Sequence, residues 1–158
     1  MNPVEIERKF LIGDVPDLGG HERTRIEQGY LTLADAGAEV RLRRKGEELL
    51  LTIKGGKGRA RAEVELDLTP GQFAELWALT EGRRLVKTRV TAPLGSLELE
   101  LDLFGGDLDG LVLAEVEFPD EASADSFEPP AWFGREVTGK EAYLNESLAT
   151  RGRPESAD

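Results

Sequence analysis

Glutamates stand two apart as Glu5 and Glu7, as Glu63 and Glu65, and as Glu115 and Glu117. An extended strand projects residues i and i+2 to the same side about 7 Å apart. Carboxylates so placed can hold a hard divalent ion such as Mg²⁺ or Mn²⁺ with water left in its octahedral shell. Basic residues keep the same rhythm: Lys9 follows Glu7 at the next alternate position, and Arg41 with Arg43, Lys54, Arg61, and Lys87 with Arg89 occupy further alternating segments. Guanidinium groups make planar, multi-point contacts to phosphate oxygens and ammonium groups supply compact charge. Cations that can clamp phosphates, beside carboxylates that can hold metal, are the two requirements of a triphosphate site. The chain has no Cys and a single histidine, His21, so its metal ligands must be oxygens.

The segments that carry these residues alternate with period two, as strands do. Val4, Ile6 and Phe10 share one side of the first, and Glu5, Glu7 and Lys9 the other; Glu98, Glu100 and Asp102 repeat the pattern later. An ordinary antiparallel sheet turns such charged faces to water, which accounts for each strand taken alone. Together the faces are almost purely Glu, Asp, Arg and Lys, sorted into acidic and basic strands, which suggests a site with two kinds of wall. If the sheet closes, alternation by itself does not say which face is inside. Three helices are expected to flank it. One opens at Thr69-Pro70-Gly71-Gln72 with a capping box, one spans Asp120 to Phe127 before Pro129 and Pro130, and one starts at Thr138 with Glu141 in the capping-box position and Tyr143, Leu144 and Leu148 inward.

With 158 residues and no linker, residues 1–150 read as one domain and 151–158 as a short tail. Twenty Lys and Arg against 31 Asp and Glu give a net charge of -11, which disfavours a nucleic-acid partner. No signal peptide and no membrane-length apolar run are present, so a cytoplasmic protein is expected. Gly55-Gly56-Lys57-Gly58 lacks the Ser or Thr and the helix of a phosphate loop and reads as a hairpin turn. Trp132 and Phe133 read as packing residues.

The segments VEIERKFLI, VRLRR, LTIKGG, RAEVE, VKTR, ELDLFGGDLDGLVLAEVEF and the terminal EVTG…Y…N..LA, in this order from Val4 to about Ala149, resemble the CYTH family of triphosphate tunnel metalloenzymes. The resemblance implies an α+β fold: a closed eight-stranded antiparallel β-barrel whose charged faces line a tunnel, with flanking helices. It implies metal ligation by Glu5, Glu7, Glu115 and Glu117, and phosphate binding by Lys9, Arg41, Arg43, Lys54, Lys87 and Arg89, which Arg61 joins by its place in the charge pattern alone. Glu63 and Glu65 would support a metal or order the attacking water in catalysis, and Glu100 and Asp102 would line the tunnel. Tyr30, in Gln28-Gly29-Tyr30-Leu31, matches a tyrosine proposed in short bacterial members as a proton acceptor, with an orienting role for its hydroxyl as the alternative. Lys140 and Ala142 depart from the family pattern and receive no role.

The expected activity is Mg²⁺- or Mn²⁺-dependent hydrolysis of inorganic triphosphate by a monomer or homodimer. Thiamine triphosphatase, class IV adenylate cyclase and a non-catalytic polyphosphate- or nucleotide-binding module are the rivals.

Overall fold

Alternating apolar and charged residues build one antiparallel sheet. The computed structural model describes residues 6–32, 37–55 and 62–155. Its strands are β1 (Ile6–Ile12), β2 (Glu22–Tyr30), β3 (Ala38–Lys45), β4 (Glu48–Gly55), β5 (Ala62–Asp67), β6 (Arg84–Leu94), β7 (Leu97–Phe104), β8 (Val112–Phe118) and β9 (Phe133–Glu136). They run in the order β5-β4-β3-β2-β6-β7-β8-β1-β9. The fold is α+β as expected, but the closed eight-stranded barrel is not what the described residues form: the ladder has nine strands, and β5 and β9 are its open edges. The two strands that charge patterning does not mark are β2, whose residues on the charged side are Ile26, Gln28 and Tyr30, and the four-residue β9.

Register puts the expected site residues on one face. Tyr30 lies opposite Arg41 and Gln28 opposite Arg43; Arg41 lies opposite Thr52; Thr52 and Lys54 lie opposite Glu65 and Glu63. Across the sheet, Arg89 faces Asp102, Glu100 faces Glu115, and Glu115 and Glu117 face Lys9 and Glu7. A one-residue slip anywhere would send a whole strand's charges to the other side.

Both faces are covered. Helix α1 (Pro70–Trp77) packs on β3 and β4, on the side away from the charges. Its capping box forms as expected, Gln72 N donating to Thr69 Oγ1 at 3.2 Å and Thr69 N to Gln72 Oε1 at 2.9 Å. Helix α2 (Glu121–Ser126), capped by Asp120, covers the same side over β1 and β8, where Phe10, Val90, Leu99, Leu101, Val116 and Phe118 form a core. Trp132 and Phe133 pack edge to face there, as expected of packing residues.

The third helix begins later than expected. Thr138 Oγ1 accepts from the Lys9 amide at 2.9 Å and donates to Glu136 at 2.6 Å, so it is not available as an N-cap. A single 3-10 turn at Glu141–Tyr143 follows, and α3 spans Asn145–Arg151. Leu144, expected inward, is 49% exposed. Helix α3 lies on the charged face, where Leu148 and Tyr143 meet Leu11, Tyr30, Leu85, Phe104 and Leu113 from five strands. That apolar floor closes one end of the face and leaves the charged residues above it.

Close packing on the opposite side is tight enough to test. A Cβ on Gly29 would stand 2.6 Å from Thr80 Oγ1 and 2.9 Å from the Trp77 ring. Gly29→Ala should therefore destabilise the protein by about 1–3 kcal/mol, read as a fall in the thermal midpoint. Among the described residues no helix is long and apolar enough to cross a membrane.

Candidate active site

Asp102 is the centre of the charged face. It is 4% exposed and takes Lys87 Nζ at 2.8 Å together with a fork from Arg89, Nε at 2.8 Å and Nη2 at 3.0 Å. Arg89 also reaches Glu100 at 2.6 Å. Burial alone would raise the Asp102 pKa, but Lys87 and Arg89 outweigh it and hold the carboxyl well below the usual range. Burial acts on Arg89 in the opposite sense, and its hydrogen bonds to Asp102 leave that guanidinium more firmly charged than a free one. Lys87, wholly buried, is lowered to about 8, mainly by desolvation and in part by Arg89 and Arg43, against the pull of Asp102.

Cations crowd the neighbouring strands. Arg43 is lowered to about 10 by burial and then by Arg41 and Arg89; it stays charged at neutral pH in a field already positive. Gln28 fixes it, Oε1 accepting from Arg43 Nη2 at 2.8 Å, while Gln28 Nε2 donates to the Tyr30 hydroxyl at 2.9 Å. Tyr30 is 1% exposed, and burial pushes its hydroxyl up to about 12, with Arg41 pulling only partly the other way. A proton acceptor needs the reverse shift. Arg41 and Thr52, cross-strand partners, are buried, and Arg41 Nε and Thr52 Oγ1 have no hydrogen-bond partner. Donors left unsatisfied on a cationic face suit an anionic ligand that supplies the missing acceptors.

The acidic wall adjoins. Lys9 Nζ lies 3.2 Å from Glu115, and like charges face each other across strands as Glu7 with Glu117 and Glu115 with Glu100. Such pairs repel; burial and, after the pull of Arg89, the nearby Glu115 raise the Glu100 pKa. A divalent cation between them would relieve the repulsion, and the donors are all hard carboxylate oxygens. Among the described residues no three carboxylates are already gathered as an ion cage.

Not every expected residue joins this cluster. Glu63 and Glu65 sit on the exposed edge strand β5, on the charged face but at its margin, and Lys54 is half-buried beside them. Glu5 and Arg61 lie outside the described residues. Arg8 points to the other face, bound by Glu136 at 2.7 Å. Four contributors escape the charge pattern: Gln28, Thr52, the Tyr143 carbonyl, which accepts from Lys9 Nζ at 3.2 Å, and Asn145, whose Oδ1 accepts from Lys87 Nζ at 3.2 Å. Two of these four, Tyr143 and Asn145, fall in the terminal Y…N..LA segment, the only hint the chain offers of them.

Comparison with known proteins agrees with this geometry. The chain is 47% identical over 146 residues to the inorganic triphosphatase of Nitrosomonas europaea, covering 92% of this chain and 96% of the relative. It is 36% identical over 146 residues to that of Acetivibrio thermocellus, covering 91% and 92%. The crystal structure of an inorganic triphosphatase superposes with a TM-score of 0.79 at 43% identity, covering 94% of this chain and 96% of that one. An adenylyl cyclase candidate from Hippeastrum with a dominant triphosphatase activity, at 15% identity over 77% of this chain and 82% of its own with a TM-score of 0.56, shares the fold. A model of the CYTH domain matches residues 3–152, and the chain belongs to the CYTH domain family.

Proposed function

We propose that this protein hydrolyses inorganic triphosphate to diphosphate and phosphate on its charged face, with a bound Mg²⁺ or Mn²⁺. The observation that carries the reading is the crowding of Arg41, Arg43, Lys87 and Arg89 on a buried face beside opposed carboxylates. Side chains of five strands converge on α3, which supports a sheet curled into a tunnel with this face as its wall.

Phosphoryl transfer asks a protein mainly for positioning and charge stabilisation. Glu7, Glu115 and Glu117 would hold the metal, which when bound supplies Lewis-acid polarisation of phosphate oxygens. Lys9, Arg41, Arg43, Lys54 and Arg89 grip the chain of phosphates and balance the charge that gathers on the leaving diphosphate. Glu63 and Glu65, at the open margin, are assigned to the water: one carboxylate takes its proton as the new P–O bond forms and the bridging P–O bond breaks. Tyr30 orients Arg41 and, through Gln28, Arg43.

Phosphate release measured on inorganic triphosphate, thiamine triphosphate, ATP and diphosphate tests the reading. Inorganic triphosphate should be cleaved fastest with Mg²⁺ or Mn²⁺, and a chelator should abolish release, restored by excess metal. Faster cleavage of thiamine triphosphate or ATP would move the assignment to an organic substrate. Tight triphosphate binding without release would make the protein a sensor. The apolar end of the face is filled by Tyr143 and Leu148, which argues against a base-binding platform there.

A further inference from the structure

We propose that Arg8, Glu136 and Thr138 are positioning residues, a brace behind the first strand that sets the direction of Lys9 toward Glu115 and phosphate. The inference rests on the charged face being the triphosphate site. Its ground is the place where the β1–β9 ladder stops. β9 pairs with β1 at Ile12 and Phe10, so among the described residues the half of β1 that carries Glu7 and Lys9 has β8 as its only strand neighbour. On the open side Lys9 is held at both backbone atoms: its carbonyl accepts from Val137 N at 2.8 Å, and its amide donates to Thr138 Oγ1 at 2.9 Å. A side-chain hydroxyl stands where the next ladder carbonyl would be. Because both backbone atoms turn that way, Lys9 and Glu115 are a non-hydrogen-bonded pair across β1 and β8, the kind whose side chains come closest. Their charges meet at 3.2 Å.

The hydroxyl is itself anchored. Thr138 Oγ1 donates to Glu136 Oε2 at 2.6 Å, and Glu136 receives the Arg8 fork, Nε at 2.9 Å and Nη2 at 2.7 Å. Arg8 Nη1 donates to Ala124 O at 2.8 Å and to Phe127 O at 3.2 Å, at the end of α2, and the guanidinium lies 5.3 Å from the centre of the Phe10 ring. A planar fork tied in so many directions keeps one orientation. Arg8 and Lys9 are neighbours in β1 and leave it on opposite faces. Fixing Arg8 from behind and the Lys9 amide from the side restricts rotation of the strand segment from which the Lys9 side chain departs. Thr138 is exposed, so water can accept from the Lys9 amide in its place, but water cannot join that amide to Glu136 and Arg8.

The test is a double-mutant cycle on inorganic triphosphate hydrolysis. Thr138→Val keeps the shape and removes the hydroxyl; it should lower kcat about 10–10²-fold, the range expected of a small misplacement at the reacting centre. Thr138→Ser should keep most of the wild-type rate. In a Lys9→Met background Thr138→Val should cost no more than about twofold further, because its effect passes through the ammonium. A merely structural role would cost the same factor in both backgrounds. Glu136→Gln, which weakens the Arg8 fork, should lower kcat by a smaller factor that also disappears with Lys9→Met, and it carries the cycle if Thr138→Val does not fold. Independently, the Lys9 Cε resonance in ¹³C-lysine-labelled protein, assigned by its loss in Lys9→Met, should move in Thr138→Val and return in Thr138→Ser. Equal losses in both backgrounds, or wild-type kcat with an unmoved Lys9 resonance, would overturn the proposal. If the wild type cleaves no triphosphate, the functional reading fails by itself, and the Lys9 resonance still tests the brace.

Discussion

Lys9→Met should lower the rate of inorganic triphosphate hydrolysis by about 10²–10³-fold while the protein stays folded. That is the loss typical when one charged or hydrogen-bonding group facing the transition state is removed. Lys9 has 12% of its side chain exposed, with Glu115 and the Tyr143 carbonyl as its other partners, so one N–H remains for a phosphate oxygen. Methionine keeps the stem packed and removes only the charge. Glu115 is then left opposite Glu100, a repulsion that bound metal can relieve, so metal affinity should hold or rise while kcat falls. Lys9→Arg should recover only part of the rate, because a planar fork cannot reproduce a compact ammonium at this spacing. Phosphate release at saturating metal and substrate, with thermal melts of each variant, measures this. Wild-type turnover in a folded Lys9→Met would remove Lys9 from the site.

What the chain discloses before folding depends on how each side chain does its work. Glu7 and Lys9 are legible because β1 alternates and each acts by its own charge; the sheet then places them opposite Glu117 and Glu115. β2 is not legible by that signal, since it contributes Gln28 and Tyr30, one an uncharged bridge and the other a buried ring, between two strands rich in arginine. Asn145 and the Tyr143 carbonyl act on lysines 58 and 134 residues away in the chain, a relation no local spacing encodes. Thr138 shows the converse error. Its sequence context fits a capping box, but the amide of Lys9 and the carboxylate of Glu136 compete for its hydroxyl and win, delaying the helix to Asn145. Strand closure likewise depends on how far the sheet curls, and alternation carries no measure of that.

Asp102→Asn should be the most destabilising conservative change on the charged face, costing about 3–5 kcal/mol, because it leaves buried cations without their counter-charge. The change keeps the shape and can keep some hydrogen bonds, so the loss isolates the charge. Lys87, wholly buried, would have only Asn145 as a polar partner beside the amide, whereas Arg89 retains Glu100 at 2.6 Å. For a chain of this size that cost corresponds to roughly 6–20 °C in the thermal midpoint. Adding Lys87→Met should restore part of it, since removing both members of a buried pair costs less than removing one. The pH dependence has a definite sign. The folded-state pKa of Asp102 is depressed, so its contribution is present above the unfolded value near about 4 and is lost as pH falls toward the folded value. Wild type and Asp102→Asn should therefore differ most at neutral pH and converge in strong acid. A variant that melts within a degree or two of wild type at pH 7, or a gap that widens on acidification, would show that Asp102 does not carry the counter-charge on which the cationic face depends.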